Sequence, residues 1–271
     1  MKIIILSLNF LSIFLPGFVA KAYAKLFQSP KRSDTGLSTF NEQEKYKLEY
    51  HDGIAFHCWN PNAEKIILLM HGWEGNSSNF SLFISNLVQE KFRIISIDGP
   101  GHGLSKGKRA NPFIFANAIV RASKIYGQPY ALIGHSMGAG AAAFAVSQKM
   151  ILPEKLLLVA SPSDLKGVLF RFSKMVGMSA SLFSAFLKEM KKQTGSDAED
   201  INPRKLGQLL KNVDGLILHC RNDKEIPFEE SVELNKHWKT SKLVQIDNLG
   251  HRRILKDGSV SKLVSDFIKN N

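Results

Sequence analysis

The sequence predicts an α/β protein in which a mostly parallel sheet of about eight strands lies between layers of helices, a three-layer sandwich. Continuous apolar runs recur along the chain and are typical of strands that are buried on both faces. Helical patterns fill the gaps between these runs. With 271 residues, 44% of them hydrophobic, the chain is long enough to bury one large core. We therefore expect a single α/β domain over residues 42–271.

The apolar N-terminal segment, residues 1–28, has three interpretations. An apolar run followed by Ala22-Tyr-Ala24 is typical of a signal peptide with its cleavage site. Lys21 and Lys25 instead favour retention on the cytoplasmic side, as a membrane anchor or interfacial segment, although the run is short for a bilayer. The third interpretation is a helix docked on the rest of the protein. We expect a cytoplasmic main domain, with membrane association through this segment as an alternative and export less favoured.

A polar linker over residues 29–41 leads into a predicted antiparallel hairpin, with strands at 46–50 and 54–59 around the turn His51-Asp-Gly53. The later apolar runs predict parallel strands at residues 66–70, 93–97, 130–133, 156–159, 215–219 and 243–246. Helical patterns lie between them at residues 78–89, 112–125, 139–149, 228–237 and 259–268. This alternation is what the sandwich requires.

An insertion over about residues 161–213 is too long for a simple crossover and predicts a small helical lid. It carries large apolar side chains at roughly helical spacing: Phe170, Phe172, Met175, Met178, Phe183, Phe186 and Met190. One interpretation makes them core residues of one or two helices. The other makes them the lining of an apolar substrate pocket, because methionine is adaptable and phenylalanine supplies buried area. The two interpretations are compatible.

Charge and cysteine content narrow the function classes. The net charge of +12 allows an anionic partner such as a membrane, but the scatter of Lys and Arg favours a solvated basic surface and argues against nucleic-acid binding. Cys58 and Cys220 lie inside apolar runs and are expected to be buried, unpaired thiols. The sequence has no H-E-x-x-H motif and no paired C-x-x-C. We expect neither a metal nor an organic cofactor.

The strongest motif is Gly134-His-Ser-Met-Gly138, which has the form G-x-S-x-G between a predicted strand and a predicted helix. A nucleophile elbow needs a sharp turn that leaves the serine hydroxyl open, and the flanking glycines make room for a strained backbone. The helix that begins after Ser136 also directs N–H groups towards an approaching anion. Ser136 is therefore the candidate nucleophile. The alternative is a glycine-rich turn with an incidental serine.

A serine nucleophile needs a base, and the base needs an acid that orients it. His251 follows the last predicted strand and is the candidate base. Asp223 follows the strand over 215–219 and is the candidate acid, because the chain order Ser, Asp, His is the one expected for this arrangement.

Three other aspartates compete for the acid position. Asp98 precedes the serine and fits a turn-capping role better. Asp164 could serve in place of Asp223, whereas Asp247 is too close to His251 along the chain. The histidines His71, His102 and His135 are expected to be structural.

Jointly, five motifs resemble those of the α/β-hydrolase family, in its branch of small esterase-like and serine-aminopeptidase-like hydrolases. They are His71-Gly-Trp73, Asp98-Gly-Pro-Gly-His-Gly103, Gly134-His-Ser-Met-Gly138, Asn222-Asp223 with Ile226-Pro227, and Gly250-His251. The resemblance covers residues 46–269 and implies that the backbone N–H groups of Trp73 and Met137 form the oxyanion hole. The lid is short compared with that of many relatives.

The expected reaction is hydrolysis of a small apolar acyl ester, thioester or amide through an acyl-enzyme. Epoxide and haloalkane hydrolysis are disfavoured because such family members carry an aspartate at the elbow. A cofactor-free peroxidase-type activity uses the same triad and stays open as an alternative. A binding or signalling module without catalysis is the alternative of another class, since a fold does not establish a function.

Overall fold

The computed structural model describes residues 2–42 and 46–270. The described strands are β1 (Lys47–His51), β2 (Ile54–Trp59), β3 (Ile66–Met70), β4 (Arg93–Asp98), β5 (Ala131–His135), β6 (Lys155–Val159), β7 (Asp214–Cys220) and β8 (Ser241–Ile246). They form one eight-stranded sheet in the order β1-β2-β4-β3-β5-β6-β7-β8. Strands β3 to β8 are parallel, whereas β2 is antiparallel to both β1 and β4.

The described helices are α1 (Lys2–Leu11), α2 (Pro16–Phe27), α3 (Ser81–Gln89), α4 (Pro112–Tyr126), α5 (Met137–Ser147), α6 (Leu165–Met175), α7 (Ala180–Thr194), α8 (Pro203–Leu209), α9 (Phe228–His237), α10 (Gly250–Arg253) and α11 (Gly258–Lys269). Short 3-10 helices cover Leu37–Glu42, Ser77–Phe80, Ala198–Asp200 and Ile254–Lys256. The predicted fold class is confirmed. Each predicted strand and helix of the sheet region is present, with ends that differ by a few residues.

The hairpin turn shows why these residues fold as they do. Asp52 and Gly53 both have positive φ, at 47° and 80°, as a tight turn between twisted strands requires. His51 pairs directly with Ile54 across the turn. The short polar dipeptide therefore fixes the register of the antiparallel edge of the sheet.

The chain divides into two compact units. The sheet unit comprises Pro30–Ser163 and the residues from Pro203 onwards, and the helical unit comprises the residues up to Ser29 together with Asp164–Asn202. The predicted insertion is thus divided, because α8 belongs to the sheet unit and α6 and α7 belong to the helical unit. The N-terminal segment and the middle of the insertion, which the sequence presents as separate features, form one unit.

Within the helical unit, α2 packs against α7. The ring of Phe27 lies 5.0 Å from that of Phe172 and 6.2 Å from that of Phe186. Phe186 and Met190 are buried, so these apolar residues of the insertion are core residues of their own unit. Among the residues that the structure describes, no helix has both the length and the apolar character needed to span a membrane.

The polar linker prediction is wrong for part of its length. Leu37 and Phe40 lie in a 3-10 helix and are buried in the core of the sheet unit, where the Phe40 ring meets that of Trp59 edge to face at 4.8 Å. Full burial of such a side chain contributes about 1.5–3 kcal/mol. Two isolated apolar residues in a polar segment have no periodicity, so the pattern did not reveal them.

Candidate active site

Ser136 lies at the turn between β5 and α5. Its φ of 53° and ψ of −126° are in a region that a residue with a side chain rarely occupies, and such strain costs about 1–3 kcal/mol. The turn is held by the Ser136 N–H, which donates to the Val159 carbonyl at 2.9 Å. Ser136 itself is half-buried. The backbone therefore presents the hydroxyl at the surface of the sheet unit instead of inside it.

The glycines on either side of Ser136 are required by close approach. A Cβ on Gly138 would collide with the carbonyl oxygens of Met70 and His71. A Cβ on Gly134 would lie 2.6 Å from the Gly138 carbonyl oxygen, far inside van der Waals contact. Both positions exclude any side chain, which explains the spacing of the G-x-S-x-G motif in physical terms.

His251 reaches Ser136 from the short helix α10, which follows β8. The Ser136 hydroxyl donates to His251 Nε2 at 2.9 Å, and His251 Nδ1–H donates to Asp223 Oδ2 at 2.7 Å. The imidazole is 5% exposed and the Asp223 side chain is fully buried. The structure thus brings together the three residues that the sequence nominated as nucleophile, base and acid.

Asp223 is held as an anion by the groups around it. Its Oδ1 accepts from the N–H groups of Glu225 and Ile226 at 2.8 and 3.0 Å. Burial alone would raise the pKa of Asp223, but hydrogen bonds from His219, His251 and the Ile226 N–H outweigh burial and lower this pKa. The carboxylate is consequently ionised wherever the protein is folded near neutral pH.

His219 is the residue of this site that the sequence analysis missed. It is fully buried on β7, and its Nε2 lies 3.3 Å from Asp223 Oδ2 and 3.2 Å from the Ile226 carbonyl. Its Nδ1 accepts from the Ser231 hydroxyl at 2.6 Å. The signal was a histidine inside an otherwise apolar strand, four residues before the candidate acid.

Two further contacts position the loop that carries His251. His135 Nε2–H donates to the His251 carbonyl at 2.9 Å, and the Gly250 N–H donates to Cys220 Sγ at 3.0 Å. Burial and the neighbouring His251 lower the pKa of His135 to about 3, so His135 is neutral and acts as a donor. Cys58 and Cys220 are both buried and unpaired.

The two residues expected at an oxyanion hole belong to two segments that pass close to Ser136. Met137 is the first residue of α5, where N–H groups have no acceptor within the helix. A Cβ on Gly72 would lie 2.7 Å from Ser136 Cβ, so the loop that continues into Trp73 passes beside the serine. Trp73 is half-buried, and its ring meets that of His102 at 5.7 Å.

His71 and His102 shape this loop through backbone hydrogen bonds. His71 Nε2 accepts from the Gly99 N–H at 2.9 Å, and His102 Nε2 accepts from the Glu74 N–H at 3.0 Å. Burial lowers the pKa of both, to about 4 for His102, with the nearby His71 as a second cause there. Both rings are therefore neutral supports of the loop.

The competing aspartates have other partners. Asp98 is fully buried and accepts from the N–H groups of Ser77 and Leu104, each at 2.8 Å. Asp164 caps α6 by accepting from the Gly167 N–H at 2.9 Å. Asp247 accepts from Gln245 Nε2 at 3.0 Å. Within the described residues, no cluster of His, Cys, Asp and Glu has the composition of a metal site.

Parts of the chain are similar to one known protein family and to curated proteins of two organisms. The sequence profile described as α/β hydrolase fold matches residues 65–161, which include the elbow and the Trp73 loop. The chain is similar to a serine hydrolase-like protein of Dictyostelium discoideum, with 28% identity over 128 residues that cover 44% of this chain and 36% of that protein. It is also similar to a serine hydrolase-like protein of Danio rerio, with 34% identity over 89 residues that cover 31% of this chain and 27% of that protein.

The chain thus spans about a third of the length of the curated relatives that it matches. Among solved structures, it is similar to an esterase of Pyrococcus furiosus, with a TM-score of 0.67 and 18% identity. The match covers 89% of this chain and 96% of that protein. At this identity, the likeness concerns the fold.

Proposed function

We propose that this protein, which has the α/β-hydrolase fold, is a serine hydrolase that cleaves an acyl ester, thioester or amide. The observation that carries the proposal is the hydrogen-bonded series from Ser136 through His251 to Asp223, built on a strained elbow. Strain and buried charge are costly, and proteins keep them mainly where chemistry needs them.

In the proposed reaction, Ser136 Oγ attacks the acyl carbonyl while His251 Nε2 takes the hydroxyl proton. The imidazolium returns this proton to the leaving group as the bond to the carbonyl carbon breaks, which leaves an acyl-enzyme. Water then attacks the acyl carbon by the same route and releases the acid. Asp223 holds the imidazole in the required tautomer and stabilises its charged form.

The negative charge that develops on the carbonyl oxygen needs two donors. We assign these to the backbone N–H groups of Met137 and Trp73. The position of Met137 at the first turn of α5 adds the favourable end of the helix dipole.

The site favours a neutral substrate. Glu225 Oε2 lies 3.9 Å from His251 Nε2, and Glu225 is held by Arg252, whose Nε donates to its carboxylate at 3.1 Å. Because Arg252 neutralises this carboxylate, the pair adds little net charge beside the base, which is compatible with an uncharged ester. We therefore expect a small apolar acyl substrate. The length of its acyl chain is the property that the following test varies.

Chain length can be tested with p-nitrophenyl esters of graded acyl length. We expect kcat/KM to rise by about fourfold for each methylene until the pocket is full, because a buried methylene contributes about 0.8 kcal/mol. A flat profile from acetyl to octanoyl would contradict an apolar acyl site while leaving the nucleophile assignment intact.

The nucleophile is tested by labelling with a fluorophosphonate probe. The wild-type protein should be labelled on Ser136, and Ser136→Ala should not be labelled. Ser85→Ala, at an exposed position of α3, is the matched control and should be labelled as the wild type is. A wild-type protein that folds but resists the probe would favour a binding module over an enzyme.

A further inference from the structure

Large apolar side chains stand in solvent along one side of α1, α2 and the turn between them. Each is more than half exposed, from 53% to 71%: Leu6, Phe10, Ile13, Phe14, Leu15 and Phe18. We call these six residues the apolar ridge. Single exposed apolar residues are ordinary, but a run of six, three of them aromatic, marks a contact surface.

The ridge faces outward because the opposite side of the same helices is already packed. Tyr23 is buried, and its hydroxyl donates to Asn9 Oδ1 at 2.9 Å, while Asn9 Nδ2 donates to the Val176 carbonyl at 2.8 Å. Small residues, Ala20 and Ala24, are also buried. Val19 is buried as well, so Phe18 is exposed on a helix whose other side already holds the packed apolar residues.

The segment around the ridge is cationic. The first acidic residue of the chain is Asp34, whereas five cations precede it: Lys2, Lys21, Lys25, Lys31 and Arg32. Lys21 and Lys25 are exposed, and they follow Phe18 by three and seven residues, which places them on its face of α2. Apolar side chains and positive charge therefore share one surface.

An open groove within the helical unit adjoins the ridge. It has a volume of about 610 Å³, and Ile13 and Pro16 are among the residues that line it. Its lining also includes Ser181, Ser184 and Lys188. Apolar and cationic or hydroxyl groups thus lie side by side, as the acyl and phosphate parts of a lipid do.

We propose that the apolar ridge inserts into the surface layer of an anionic membrane, with Lys21 and Lys25 on lipid phosphates and a headgroup in the groove beside Lys188. Helices α1 and α2 have 10 and 12 residues, and about 20 are needed to span a bilayer, so the pair lies in the interface. A second copy is a poorer occupant, because a two-fold contact through this surface would bring the same positive charges together.

The first experiment measures co-sedimentation of the full chain with vesicles of phosphatidylcholine mixed with phosphatidylglycerol. We expect Phe14→Ser and Phe18→Ser each to weaken vesicle partitioning about tenfold, since each removes a large apolar side chain from the lipid contact. The controls are Leu152→Ser and Tyr50→Ser in the sheet unit, which remove side chains that are 63% and 56% exposed. These controls should bind as the wild type does.

The second experiment tests the charge. Binding should be weaker to vesicles of phosphatidylcholine alone and should fall as salt rises. The double variant Lys21→Glu, Lys25→Glu should lose at least about fivefold for each lysine on the anionic vesicles. Lys242→Glu with Lys262→Glu makes the same change in net charge at exposed sites of the sheet unit and should have little effect.

Circular dichroism and thermal unfolding of each variant show that it is folded, and membrane binding is measured without any activity assay, so failure here does not affect the proposed function. Equal loss of binding in the ridge variants and their controls would overturn the proposal. A wild-type protein that ignores the vesicles would do the same. Light scattering tests the remaining occupant. A wild-type dimer that becomes a monomer in Phe14→Ser and Phe18→Ser would also overturn the proposal, because the ridge would then bind a second copy of the chain.

Discussion

Asp98 and Asp223, two aspartates with buried side chains in the sheet unit, each accept a hydrogen bond from a histidine that has a further hydroxyl partner. Beside β4, His57 Nε2–H donates to Asp98 Oδ2 at 3.1 Å, and the Tyr46 hydroxyl donates to His57 Nδ1 at 2.9 Å. Beside β7, the corresponding series runs from Asp223 through His251 to Ser136. In both, the carboxylate is buried, accepts backbone N–H groups and has a lowered pKa.

The difference lies in the third partner and its access to solvent. His57 is fully buried, and burial together with the charge of Asp98 raises the pKa of Tyr46 to about 12, so this phenol keeps its proton. Ser136 is half-buried at a helix start, so this residue is partly open to solvent. An aspartate–histidine pair is therefore only a buried polar network unless an accessible nucleophile completes it.

Among the variants that test this comparison, removal of the Ser136 hydroxyl should have the largest effect on activity. We expect Ser136→Ala to lower kcat about a million-fold, because the members of such a series act together. Its thermal unfolding midpoint should stay at or above that of the wild type, since backbone strain at the elbow is a fixed cost in both. Ester hydrolysis at the wild-type rate would remove Ser136 from the mechanism.

Substitution of Asp223 and substitution of Asp98 should differ clearly in their effect on kcat. Asp223→Asn should lower kcat about ten-thousand-fold, because an amide no longer holds the base in the required tautomer. Asp98→Asn should leave kcat per folded molecule within a fewfold of the wild type. Steady-state kinetics, corrected for the folded fraction by unfolding curves, compare the two, and the reverse order would mean that the acid has been misassigned.

Substitution of His219 tests whether its hydrogen bond to Asp223 contributes to activity. We expect His219→Phe to lower kcat/KM roughly tenfold, because a hydrogen bond to a charged group contributes about 1.5–3 kcal/mol. His219→Gln can still donate to Asp223 and should restore most of the activity. If both variants lose the same activity and the same stability, His219 is a packing residue.

Asp98 should instead affect the free energy of unfolding. Its pKa is lowered to about 2, because the hydrogen bond from His57 and the one from the Leu104 N–H help to outweigh burial, which alone would raise it. The unfolded carboxyl has a pKa of about 3.9, so ionised Asp98 contributes about 2–3 kcal/mol above that pH, and this is lost as the pH falls towards 2. Urea unfolding from pH 6 to 2 should show a flatter curve for Asp98→Asn across this window.

Tyr46→Phe should give the smallest effect. It removes one donor to His57 and should lower the free energy of unfolding by about 1 kcal/mol. Labelling of Ser136 and kcat should not change, since this pair has no access to substrate. A drop in kcat at unchanged stability would show that the two pairs are coupled.

The sheet and the elbow could be predicted because short-range patterns determine them. Buried parallel strands read as apolar runs, and Gly134 is required by its close approach to Gly138 and Ala139 within the motif, although Gly138 is required by the distant carbonyl groups of Met70 and His71. The motif-based assignment to the α/β-hydrolase fold is confirmed. Asp223 and His251 were found through chain order and position after a strand, and their roles stay proposals.

The parts that sequence could not give depend on long-range contacts. Phe27 contacts Phe172 and Phe186, which are more than a hundred residues away in the sequence. No local sequence pattern predicts these contacts. His219 looked like a strand residue because its partners, Asp223 and Ser231, are defined only by the fold. The outward orientation of the apolar ridge likewise follows from what the other side of the helices buries.

The order of synthesis gives the Ser136–His251 contact a consequence for the growing chain. These residues are 115 positions apart, and β8, which precedes His251, is the last of the described strands and forms one edge of the sheet. Helix α11 then returns to α3, where Asn86 Nδ2 donates to Ser261 Oγ at 2.7 Å. At a translation rate of about 5–20 residues per second, the elbow waits roughly ten seconds for its base. On the proposed mechanism, a nascent chain carries Ser136 without its base, and reactivity towards acyl groups arises only after β8 has joined the sheet.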